Sequence, residues 1–109
     1  MKLLLDSGIP FDGVVAFNDS IALGAMRILQ EAGLRIPDDV AVIGFDDIDE
    51  TRYTLPTLST INPGRDEIAR VAVDYLVERI SNPGAEIPPR EHLAGFTVVQ
   101  RESTTLVAP

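Results

Sequence analysis

Apolar positions in this chain fall in short runs separated by acids, glycines and prolines. Val40-Ala41-Val42-Ile43 stops at Gly44-Phe45 and gives way to Asp46, Asp47, Asp49 and Glu50. A run of that length, bounded upstream by Pro37-Asp38-Asp39, predicts a strand buried on both faces. Gly13 to Phe17 is a second such run, ending at Asn18-Asp19. Between them, Ile21, Ala22, Leu23, Ala25, Met26, Ile28 and Leu29 wrap most of the way round a segment from Ser20 to Ala32. This predicts a helix covered by neighbours and closed by Gly33 in the left-handed conformation. Strand, helix and strand in succession predict a right-handed βαβ unit with parallel strands. Ligands in open α/β sheets bind beyond the carboxyl ends of such strands, so Asn18 and Asp46 are the first places to look for chemistry.

The flanking segments add to this frame. Leu3, Leu4 and Leu5, closed by Gly8 and Pro10, read as the last turns of a helix whose beginning precedes the chain. Asp49 to Tyr53 fits one helical turn before Leu55-Pro56. Leu58 to Ile61 is a further extended candidate. Asn62-Pro63 supplies an N-cap and a first-turn proline for a helix from Pro63 to Ile80. Ile68, Val71, Ala72, Tyr75, Leu76 and Ile80 share one of its faces, and Asp66 can reach Arg70 four residues on. Leu93 to Gln100 reads as extended around Phe96, Val98 and Val99, with His92 a solvent-facing strand residue. Arg101 and Ser103 read as turn and strand-end hydrogen bonders, in a tail that is polar first and apolar last.

Composition narrows the function. A length of 109 residues suits one modest domain. Seventeen acids against nine bases give a net charge of -8, and the one lysine is Lys2, so there is no basic stripe to neutralise phosphates. This piece is not expected to grip nucleic acid by itself. Without cysteine neither a disulfide framework nor a thiolate metal site can form, and His92, the sole histidine, cannot build an imidazole cluster. Asp6 interrupts the initial leucines before a signal-peptide core or membrane span could form, so a cytoplasmic protein is expected.

The run FNDSIALGAMRILQEAGLRIPDDVAVIGFDDIDETRYTLPTLSTI resembles the sugar- and purine-responsive repressors of the lactose/galactose repressor (LacI/GalR) family, and VVQRESTTL is similar to that family's carboxyl end. The resemblance spans nearly the whole chain. It implies an α/β fold, a Rossmann-like parallel sheet with flanking helices, forming part of a two-subdomain fold shaped like a periplasmic binding protein. It implies that residues 1–61 belong to the carboxyl-terminal subdomain, 62–90 to a crossover and helix of the amino-terminal subdomain, and 91–109 to the return and tail. By position, Asn18 and Asp46 match residues that hydrogen-bond effector hydroxyls. A carboxylate accepts from two hydroxyls and a carboxamide both donates and accepts, which suits that task. Asp19 matches the partner of the Asn-Asp pair, with capping of the helix from Ser20 as its expected role. Arg65 falls where the family often places an aromatic against the effector, so it either pairs with a charged ligand or points to water. Tyr53 aligns with a stretch that helps form the dimer face, with local packing as the alternative.

The implied function is effector sensing in a transcriptional regulator that binds a sugar or nucleoside-like molecule, uses no cofactor, and meets DNA only through a helix-turn-helix domain outside these residues. A homodimer is expected. The six apolar residues from Ile68 to Ile80 represent on the order of 10 kcal/mol of burial, so without a host subdomain the chain is expected to self-associate or exchange that helix between copies. Two other classes compete. Asp47-Ile48-Asp49-Glu50-Thr51 satisfies the DxDxT pattern of haloacid-dehalogenase-type phosphotransferases, but no lysine follows Lys2 to complete their site. A periplasmic solute-binding protein would share the fold, although the tail fits the repressors better. Asp47, Asp49 and Glu50 are otherwise expected to be solvated loop acids.

Overall fold

The computed structural model describes residues 1–105, and the apolar end of the tail, residues 106–109, lies outside them. Three parallel segments form the centre. Strand β1 (Gly13–Val15) pairs in parallel with β2 (Ala41–Ile43), with Val15 opposite Ile43. Ser59 continues the parallel arrangement on the far side of β2, bridged to Ile43. Helix α1 (Lys2–Asp6) precedes β1, and α2 (Asp19–Glu31) is the crossover between β1 and β2. The core lies between α2 and the strands. Ala22, Met26 and Leu29 meet Ala16, Val40, Val42 and Leu58, all of them buried. The expected βαβ unit is therefore present, and Gly33 closes α2 at φ 79°. One face of β2 is fully buried through Val42, whereas Ala41 and Ile43 are only half covered, so the strand is less enclosed than its apolar run implies.

Beyond Ser59 the chain leaves this core as an antiparallel ribbon of β3 (Thr60–Asn62) and β4 (Thr97–Val99). The ribbon carries α3 (Arg65–Ser81) at its end. Two expectations for α3 are corrected. The helix starts at Arg65 with Gly64 as N-cap, because the Asn62 side chain accepts from the Gly64 N–H and turns the chain before the helix begins. Arg70 lies 3.7 Å from Asp74 rather than pairing with Asp66. The expected apolar face also divides. Val71 and Tyr75 are half-buried, and Arg90 crosses the Tyr75 ring at 3.9 Å while bonding Glu78 at 2.6 Å. Ile68, Leu76 and Ile80, with Val73 and Val77 beside them, are 49% to 68% exposed. No residue of α3 is buried. The radius of gyration, 19.2 Å, exceeds the roughly 13 Å of a compact domain of about 100 residues, because α3 stands away from the core. His92 is not in a strand: it is half-exposed, with Nε2 2.7 Å from Glu67 Oε1.

Two glycines test this packing in opposite senses. A Cβ at Gly44 would overlap the Asp19 carboxylate, whereas one at Gly24, exposed in the middle of α2, meets nothing within 4 Å. Gly24→Ala is expected to stabilise the fold by about 0.5–1 kcal/mol. Gly44→Ala is expected to cost about 1–3 kcal/mol. Urea denaturation of the two variants checks both signs.

Candidate functional site

Parallel pairing sends both β1 and β2 out at one edge, and backbone hydrogen bonds keep their continuations together. Asp19 N–H donates to the Phe45 carbonyl at 2.8 Å, and Asp46 N–H donates to the Ile61 carbonyl at 2.9 Å. Asn18 and Asp46 therefore lie at the same rim, as expected from the strand ends. Asp46 is half-buried, and its carboxylate has no hydrogen-bond partner among the described residues. Its backbone stands at φ 114°, a conformation non-glycine residues rarely adopt and one that costs on the order of 1–3 kcal/mol. Such outliers persist where surrounding contacts fix them, and ligand clamps are among the places they occur.

Asn18 does two things with one carboxamide. Its Oδ1 accepts from Ile21 N–H at 2.8 Å, which makes Asn18 the N-cap of α2 and leaves Nδ2 without a partner among the described residues. Asp19 is consequently not the cap, which corrects the role assigned to it. It is the first residue of the helix, fully buried, and its carboxylate accepts from Thr60 Oγ1 at 2.6 Å and Ile48 N–H at 3.0 Å. It thereby ties the start of α2 to the loop after β2 and to β3, with Gly44 providing the space. Arg65 stands exposed on the first turn of α3, three residues past Asn62. Two aromatic rings escaped the residue-by-residue reading. Phe17 is 95% exposed and Phe45 37% exposed, and they immediately precede Asn18 and Asp46. Polar groups beside exposed rings are the usual composition of a small-molecule site.

Asp47 overturns its assignment as a solvated acid. It is buried at φ 54°, and its carboxylate accepts from Arg101 Nη2 at 2.7 Å and Asn62 Nδ2 at 2.9 Å. Asp49 and Glu50 are exposed, in the short 3₁₀ turn Asp49–Arg52 that was expected there. Arg101 likewise does far more than end a turn. Its Nη1 donates to Thr51 Oγ1 at 2.7 Å and to the Leu58 carbonyl at 2.9 Å. Nearby, Ser103 Oγ donates to the Val42 carbonyl and accepts from Ser59 N–H, replacing ladder bonds between β2 and its neighbour. These partners occupy the first acid and the threonine of the phosphotransferase-like pattern: Asp47 faces a guanidinium, and Thr51 Oγ1 donates to the Ile48 carbonyl at 2.6 Å. Among the described residues no group of three or more potential ligands could hold a metal ion.

Residues 2–104 match the model of the periplasmic binding protein-like domain. The chain belongs to that family. Its relatives place this periplasmic binding protein-like domain with the LacI/GalR repressors. It is 44% identical to the ribose operon repressor of Haemophilus influenzae, over 94% of this chain and 30% of the repressor. It is 46% identical to a lactose operon repressor of Rhizobium radiobacter, over 73% of this chain and 71% of that protein. A solved LacI-family regulator from Sanguibacter keddieii superposes with TM-score 0.89 at 52% identity, covering 94% of this chain and 38% of the regulator. A LacI-family regulator from Enterococcus faecium with bound ribose gives TM-score 0.83 at 36% identity, over 98% and 38%. The domain thus spans about a third of the length of most of these proteins. Its named homologues are transcriptional repressors.

Burial pushes the Asp47 carboxyl up, but hydrogen bonds from Arg101 and Asn62, together with the charges of Arg101 and Arg52, outweigh it and hold the group below the usual carboxylate range. The folded domain therefore binds this proton more weakly than the unfolded chain does. Stability from the pair is complete above about pH 4 and is lost as pH falls through the lower folded value. Arg101→Met is expected to cost about 3–5 kcal/mol at neutral pH, because it strands a buried charge, and to flatten this part of the acid limb. Urea denaturation across the acid range measures both effects.

Proposed function

We propose that this domain senses a small hydroxylated molecule, a sugar or nucleoside-like compound, for a LacI-type transcriptional regulator. The supporting observation is the Asp46 carboxylate, without a partner among the described residues and held at φ 114° on the rim that carries Asn18. Asp46 accepts from two ligand hydroxyls, Asn18 donates through Nδ2, and Phe17 and Phe45 lie against the apolar face of the ring. Arg65 stands across the rim as the contact for a more polar substituent. In this reading residues 1–61 and 91–109 form one lobe, and residues 62–90 belong to the other, whose remaining elements cover the exposed face of α3. The domain carries out no catalysis, and the regulator works in the cytoplasm.

DNA is met through a helix-turn-helix domain that these 109 residues do not contain. Dimerisation brings two such heads together. Tyr53 and Leu55, 84% and 85% exposed beside α2, are the surface we assign to the homodimer. By itself the 109-residue chain is expected to cover α3 with a second copy, by self-association or helix exchange. Ligand binding changes DNA affinity only to the extent that it differs between the two lobe orientations.

A thermal-shift screen of pentoses, hexoses and nucleosides on the intact regulator tests this, D-ribose first, because a ligand that binds the native state raises its apparent stability. Asp46→Ala is expected to weaken binding of the responding compound about ten- to a hundredfold and to remove the response to it, while operator binding remains. Full response in that variant would reject the site.

A further inference from the structure

The best-connected polar cluster outside the proposed ligand contacts lies where the ribbon leaves the core. Asp47 Oδ1 takes the Arg101 bond, and Asp47 Oδ2 takes the bond from Asn62 Nδ2. Asn62 Oδ1 in turn accepts from the N–H of Gly64, the N-cap of α3, at 2.9 Å. Hydrogen bonds therefore run without a break from Arg101, through the loop that bears Asp46, to the start of α3. Asn62 is the last residue of β3 and Arg101 follows β4 by two residues. A single carboxylate thus holds one bond from each leg of the ribbon that carries α3.

That geometry has a mechanical consequence. Swinging α3 about the ribbon draws Asn62 away from Asp47 unless the loop follows. Asp46 and Asp47 share a planar peptide and both stand at positive φ, 114° and 54°. A displaced Asp47 carboxylate therefore re-aims Asp46. Asn62 is half-buried and Asp47 buried, so water does not freely replace the bond between them.

We propose that Asp47 and Asn62 are positioning residues: the hydrogen bond between them latches the Asp46 rim to one orientation of α3. The proposal builds on the sensing role argued above and adds how occupancy of the rim is relayed to the hinge.

Exchanging the two side chains supplies the test. In Asp47→Asn two amide donors face each other, and in Asn62→Asp two carboxylates do. In the double variant Asp47→Asn/Asn62→Asp, the new amide donates to the new carboxylate, whose other oxygen still accepts from Gly64 N–H. The chain contains no cysteine, so cysteines introduced at exposed Glu31 of α2 and Ala69 of α3 take spin labels at those positions alone. Pulsed dipolar spectroscopy on the labelled 109-residue chain, mixed with an excess of unlabelled chain so that only pairs within one copy contribute and without ligand, then reads the distribution of distances between the helices. A narrow distribution is expected for the unchanged chain and the double variant, and a broad one for each single variant. Asn62→Ser, whose short hydroxyl can still turn the chain at Gly64 but does not reach Asp47, is expected to broaden it too, should either single variant misfold. Asn62→Ser as narrow as the unchanged chain, or a folded double variant as broad as the single ones, overturns the latch.

Titrating D-ribose into the intact regulator completes the test. Single variants are expected to lose affinity about tenfold, and the double variant to recover it. An intact regulator that binds none of the screened sugars or nucleosides fails the sensing role, while the distance distributions still decide the latch.

Discussion

A carboxylate and a guanidinium removed from water set the constraint on which this domain is arranged. Asp47 and Arg101 side chains are 6% and 14% exposed. Desolvating two such ions costs several kcal/mol each, which their mutual attraction offsets only when the remaining donors and acceptors are also satisfied. Here they are satisfied by Asn62, Thr51 and the Leu58 carbonyl. Each of those partners lies on a different stretch of chain. Satisfying one ion pair therefore fixes the loop after β2, the 3₁₀ turn, the entry to β3 and the segment after β4 relative to one another. The pair is a poor source of net stability by itself, but it leaves the backbone at residues 46 and 47 few alternatives.

This explains which parts of the fold were legible in the sequence. Short apolar runs ending in polar residues, with an amphipathic segment between them, are local signals, and they identified β1, α2, β2 and the shared rim. The 3₁₀ turn after the acids and the left-handed Gly33 were legible for the same reason. Asp47 was misread because acids in a row look alike: what separates Asp47 from Asp49 is a guanidinium 54 residues away. The start of α3 failed for a related cause. Asn62-Pro63 is a good local cap signal, but the Asn62 amide is drawn to Asp47, and the turn then places the helix start at Gly64 and Arg65. Tertiary demand outcompeted the local preference. Asn18 and Asp19 show the converse. Both residues could cap a helix, and the space beside Gly44 decided which side chain went inside.

Helix α3 makes a separate point about context. Its apolar residues are periodic and correctly recognised, yet among the described residues Ile68, Ala72, Leu76 and Ile80 of that face stay exposed. Periodicity reports which face is to be covered, not what covers it. Arg90, Glu78, His92 and Glu67 clamp the edge that carries Val71 and Tyr75 to the segment leading to β4. These pairs are partly exposed and hold the segment to the helix with little energy. A helix secured on one side and open on the other, on a two-stranded ribbon, is an element built to pack against more than the core described here. Most of the relatives, about three times as long as the matched region, have the polypeptide to do so.

In the proposed sensor the two neighbouring acids divide the work between them. Asp46 has no partner among the described residues, so in that proposal a ligand that supplies hydroxyls gains charge-assisted hydrogen bonds there. Asp47 is partnered by Arg101 and Asn62, so it has little to offer a ligand, and in the proposed latch it transmits displacement. A site in which both acids were free would bind without relaying, because the loop could adjust locally at little cost. A site in which both were paired would relay without binding. In the proposed latch, an unsatisfied carboxylate one peptide plane from a saturated one would give the ligand a differential interaction with two hinge states, and such a difference is what any shift between those states requires.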